Sequence, residues 1–119
     1  MNSFEDIIML AQQSINKIDN IIKDEMENQA TMCVADIQLV TPVDTGNLRR
    51  SITHEQVKKE GNQFVCNIGS AISYAPYVEE GYRTSNGGFV QGKHMIRDNV
   101  EIYQSDLINA IEGRIQREV

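Results

Sequence analysis

Between Phe4 and Val40 the apolar positions Phe4, Ile8, Ala11, Ile15, Ile18 and Ile22 step by fours and threes, and Cys33, Ile37 and Val40 resume the spacing. A repeat near 3.6 residues predicts one long amphipathic helix over 1–40. Ser3 is placed to cap it, with Glu5 and Asp6 in the first turn, where the helix dipole favours negative charge. The run Lys23 to Gln29 is polar nearly all round, so the helix is expected to bend, break or stand clear of the body there. Pro42 stops it, because the residue before a proline is pushed out of helical geometry.

The pattern then changes. Asp44-Thr45-Gly46-Asn47 is turn chemistry, followed by Leu48 as an apolar anchor among charged neighbours, which predicts a tight turn opening a short helix. Ser51–Glu60 and Gln63–Ser70 flank Gly61-Asn62, and Phe64, Cys66 and Ile68 alternate with more polar residues, the period of a strand. A β-hairpin with a charged edge strand follows. Ser73 is the expected cap of a brief helix holding Pro76 in its first turn and ending at Gly81 as a left-handed cap. The glycines and small polar residues of 83–92 read as a mobile loop broken only by Phe89 and Val90. Ile96, Val100, Tyr103, Leu107, Ile111 and Ile115 return to helical spacing over 93–119. The fold class is therefore α+β in a single domain: long terminal helices packed on a small antiparallel sheet containing a hairpin, with a turn, hairpin and short helix over 41–82.

Composition narrows the function. At 119 residues, 40% hydrophobic and 24% charged, the chain suits one folded unit with a core of Ile, Val, Leu, Met and Ala. A formal charge of -6 repels phosphate backbones and anionic lipid, which disfavours stable nucleic-acid or membrane binding. The first residues lack the basic start and apolar run of an export signal, and no stretch is long and apolar enough to span a membrane, so synthesis in the cytoplasm is expected. Cys33 and Cys66 then read as reduced, mostly core residues.

Candidate chemistry is sparse. His54 and His94 lie in no zinc-ligand spacing, and no metal or other cofactor is expected. His94 reads as a capping or packing residue at the start of the last helix. Adjacent Glu79 and Glu80 diverge by about 100 degrees on a helix and do not readily share a proton. Asp44 reads as a turn cap pairing with Arg49 or Arg50. No phosphate loop or nucleophile elbow is present. A hydrolase or nuclease built on Asp44, Glu79 and His94 is the weakest reading. Asp44, Arg49, Arg50, Tyr74, Tyr77 and Glu79 instead suit interface work or a satisfied network inside the subunit.

The blocks Thr41-Pro42-Val43-Asp44-Thr45-Gly46-Asn47-Leu48-Arg49-Arg50-Ser51-Ile52, Ile68-Gly69-Ser70, Tyr74-Ala75-Pro76-Tyr77-Val78-Glu79-Glu80-Gly81 and Gly92-Lys93-His94-Met95-Ile96-Arg97-Asp98, in that order, resemble the tail-completion, or head-to-tail joining, family of long-tailed bacteriophages and prophages. One departure is that Gln91-Gly92 stands where that family commonly carries proline, which leaves the entry angle of the last helix open. The resemblance implies a non-enzymatic virion protein of the neck, forming a homo-oligomeric ring between the head connector or adaptor and the tail tube or tail terminator, with genomic DNA passing through transiently and unbound. It points to Asp44, Gly46, Leu48, Arg49, Arg50, Tyr74, Pro76, Tyr77, Glu79, Glu80, Gly81 and Lys93 as structural or interface positions. The competing readings are a tail terminator, a connector adaptor or a cytoplasmic regulatory module outside the virion.

Overall fold

The structure is a computed structural model and describes residues 3–42 and 46–119. Its longest element, α1 (Phe4–Val40), runs unbroken for 37 residues, about 55 Å at 1.5 Å per residue. Ser3 caps it through a capping box: its hydroxyl accepts from the Asp6 amide, and Asp6 accepts from the Ser3 amide in return. The polar run 23–29 neither breaks the helix nor stands clear. Its carboxylates are spent on contacts, Glu27 accepting from the Val57 amide at 2.8 Å and Glu25 from Arg114 at 3.3 Å. The part that stands clear is the first third, where Phe4, Ile8 and Ile15 are all exposed.

After the corner come α2 (Asn47–Ser51), β1 (Thr53–His54), β2 (Lys58–Glu60), β3 (Gln63–Val65), β4 (Ile68–Gly69), α3 (Ala75–Glu80), β5 (Gly81–Arg83), β6 (Phe89–Gln91) and α4 (Met95–Glu118). The strands form three separate antiparallel pairs, β1 with β4, β2 with β3 and β5 with β6, instead of one sheet. The first two pairs are one hairpin whose tip is Gly61-Asn62, as the alternation predicts. Lys58 opposes Val65 and His54 opposes Ile68, so three residues on one side face two on the other, the signature of a bulge. Gly61, at φ 62°, takes the first central place of the turn, where glycine carries no steric cost.

Two further expectations fail. Residues 83–92 do not form a structureless loop: Gly81 pairs with Gln91, Tyr82 with Val90 and Arg83 with Phe89, and the Thr84 amide donates to the Gly88 carbonyl at 2.9 Å across the tip. Ser73 does not cap the short helix. α3 begins after Tyr74 with no side-chain cap, and Pro76 takes a first-turn position, where its missing N–H costs little. Gly81 ends α3 with a positive φ of 90° but an extended ψ of 178°, so the chain passes straight into β5.

The last helix runs antiparallel to α1. Tyr103 hydrogen-bonds Asp36, and Arg114 reaches Glu25 and Asp24, so rising numbers on α4 meet falling numbers on α1. Ile96, Val100, Tyr103, Leu107, Ile111 and Ile115 are all half-buried along this seam, as their spacing predicts. The fully buried cluster sits at the far end of α1 and joins Cys33 and Ile37 to Leu48, Ile52, Ala75 and Met95. The molecule measures 77 × 25 × 20 Å with a radius of gyration of 19.8 Å, against about 13.5 Å for a compact domain of this length. It is a rod with its core toward one end.

Candidate functional site

The segment from Thr41 to Ile52 is a corner built on capping. α1 has no basic residue in its last turn, so its final carbonyls need donors from elsewhere. Arg49 supplies them, its Nη2 donating to the Thr41 carbonyl at 3.1 Å and the Leu39 carbonyl at 3.4 Å. Thr41, 1% exposed, donates its hydroxyl to the Ile37 carbonyl at 2.6 Å. Leu48 drops into the core, and Ser51 ties α2 to the end of β4 through Ser70 at 2.5 Å. Arg50 turns the other way, donating to Asn47 at 2.6 Å and lying over Gly46, the N-cap of α2. Asp44, expected to pair with one of these arginines, lies outside the described residues.

A second lock joins α3 to α4. His94, with φ 49°, precedes α4 without a side-chain cap, and the helix is capped instead from α3: Glu79 accepts from the Ile96 and Arg97 amides, one per carboxylate oxygen, both at 2.9 Å. In return the Val78 and Glu79 carbonyls accept from the Lys93 and His94 amides at 2.8 and 2.9 Å. The backbones approach so closely that a Cβ on Gly92 would collide with the Glu79 carbonyl, and one on Gly81 would collide with the Val90 carbonyl. The entry of the last helix is thus set at Gly92, where any side chain would run into the backbone at the end of α3. The reciprocal cap from Glu79 was not visible in the sequence.

The named positions thus split into two groups. Leu48, Arg49, Glu79 and Gly81 are spent inside the subunit. Tyr77 stays 57% exposed and packs edge-on against Tyr82 at 6.4 Å, while Tyr74, Glu80 and Lys93 also reach solvent. Tyr82 opposes Val90 on one face of the β5–β6 ribbon, so with Tyr77 these exposed residues form a small apolar patch, while exposed Phe89 opposes Arg83 on the other face.

Glu79, Glu80 and His94 bring potential ligand atoms within 4.8 Å of one another. Both Glu79 oxygens are already occupied by amides at a helix N-terminus, whose dipole favours an anion over a cation. Elsewhere, burial pushes the Cys33 thiol up to about 11 and raises Cys66 as well, so neither is poised as a thiolate. The hydrogen bond to Asp36 pushes the Tyr103 phenol up to about 12.

No helix is long and apolar enough to cross a membrane among the described residues. Residues 10–81 match a family model, HK97-gp10_like, whose description reads "Bacteriophage HK97-gp10, putative tail-component". The match takes in α1 from Leu10 onward, the corner, the hairpin and α3. No curated protein and no solved structure matches the chain.

Proposed function

Because the chain belongs to the HK97 gp10-like family of bacteriophage tail components, we propose that it is a non-enzymatic structural protein of the virion neck, which completes the tail and joins it to the head connector as a ring of copies. The observation that carries this reading is the shape. A rod 77 Å long holds a core locked by reciprocal caps toward one end and leaves apolar surface bare at both, on the first third of α1 and on the patch of Tyr77, Tyr82 and Val90. Each patch calls for a partner, and two separated patches suit a part placed between two others. A closed ring needs head-to-tail interfaces, and two different patches on one chain supply the unlike surfaces. The net charge of -6 supports a lumen along which genomic DNA slides without sticking.

Inactivating the chain in the phage that encodes it tests the role. Full heads and finished but unjoined tails are the expected products. Tails of uncontrolled length would assign it to tail termination, heads that lose their DNA would assign it to the connector, and normal particles would place it outside assembly.

A further inference from the structure

The first fourteen residues of α1, Phe4 to Lys17, project about 21 Å beyond the body, because the last turn of α4, ending at Glu118, lies level with Lys17, whose charge acts on Glu118. Every residue from Ile7 to Lys17 is exposed. Phe4, Ile7, Ile8, Ala11 and Ile15 nevertheless lie on one face, continuous with the half-buried Ile18 and Ile22 that α1 turns toward the body. An isolated helix of this length is marginal in water. This one is held by the capping box at its start and by the packed helix behind it.

Beside the middle of α1 lies an apolar groove of about 390 Å³ between α1, β3 and α4, lined by Met26, Cys33, Phe64, Val65, Tyr103 and Leu107. It has room for two or three large apolar side chains. The arm of the same molecule cannot reach it, since Ile8 and Cys33 stand about 37 Å apart on one unbroken helix.

We infer that the arm seats in this groove on a second copy of the chain, so that each copy gives an arm to one neighbour and takes one from the other. This rests on the ring reading above and names its interface. Exposure on that face supports the occupant: Phe4, Ile7, Ile8 and Ile15 are each at least 51% exposed. At roughly 100 Å² apiece they offer about 400 Å² per contact, a weak pairwise interface that a closed ring repeats at every copy. Charge supports it too. The arm opens with Glu5 and Asp6, and Lys58, which opposes groove-lining Val65 across β2 and β3, has no ion pair among the described residues. Because the two surfaces differ, the contact repeats and closes into a ring, whereas arm-to-arm pairing would stop at a dimer.

Cysteine cross-linking tests this, since Cys66 sits at the groove and is partly exposed. Full-length Ile8→Cys treated with a short bismaleimide at high protein concentration is expected to give a ladder of dimers, trimers and larger products. The ladder should vanish in Ile8→Cys with Cys66→Ser, a change that keeps a donor for the Glu55 carbonyl. In sedimentation Ile8→Glu should run as a monomer at concentrations where the wild type associates, with an unchanged melting temperature. Dimers alone that persist without Cys66, or no intermolecular product, would overturn the arm-in-groove contact. Monomeric Ile8→Glu that still joins heads to tails would sink the contact and leave the neck role standing. A Cys66-dependent ladder from a chain dispensable for joining would do the reverse.

Discussion

Gly92 and Gly113 show how far the same residue differs by place. At Gly92 an added methyl group meets the Glu79 carbonyl and the Gly81 amide, backbone atoms that cannot swing aside, whereas at Gly113 it meets only the flexible end of Arg117 at 3.4 Å. Gly92→Ala should therefore cost about 1–3 kcal/mol in urea unfolding, as overpacked sites do. Gly113→Ala, in the middle of α4, should gain about 0.5–1 kcal/mol from lost unfolded-state freedom. Tyr103 gives a second residue-level signature. Its phenol is held protonated to about 12 by Asp36, above the ordinary value near 10. A folded-state pKa that is raised contributes stability below the unfolded value and loses it as pH climbs through the folded one, so this contribution fades between about pH 10 and 12. A near-ultraviolet titration should show a late phenolate step that Tyr103→Phe removes. Leu48 was legible as an anchor because an apolar residue among charges has few other uses. The need for Gly92 was not, because it depends on the backbone of residues 79–81, eleven to thirteen positions away in sequence.

At the scale of elements, the two long helices were readable because their apolar residues repeat at helical spacing, and the Gly61-Asn62 hairpin because its second strand alternates. What covers a stripe was not readable. Phe4 to Ile15 carries the same period as Ile18 to Ile37, yet only the second half finds α4 against it. The β5 and β6 hairpin was missed for a related reason: Gly, Ser, Thr and Asn signal chain entropy locally, while the pairing of Gly81 with Gln91 is fixed by the lock between α3 and residues 92–94. That lock has a measurable value. Glu79→Ala uncaps α4 and should destabilise the protein by roughly 1 kcal/mol, within the about 0.5–2 kcal/mol range for lost caps, whereas Glu79→Gln keeps an acceptor and should lose less. Hydrogen exchange should quicken first at the Ile96 and Arg97 amides, and unchanged protection there would remove Glu79 from its capping role.

For the whole molecule, the corner that holds the family's signature is geometric. Arg49 closes α1, Leu48 anchors the turn, and α3 passes the chain to α4 through two reciprocal sets of hydrogen bonds. The result is a stiff end and a bare arm. Surface changes on the arm should be thermodynamically quiet, with Ile8→Glu altering folding stability by no more than about 0.5 kcal/mol while changing association. If this rod belongs between head and tail, a cryo-electron microscopy reconstruction of the virion neck will show a closed ring of copies between connector and tail tube, each arm lying on its neighbour. Copies distributed along the tail, or none in the particle, would contradict it.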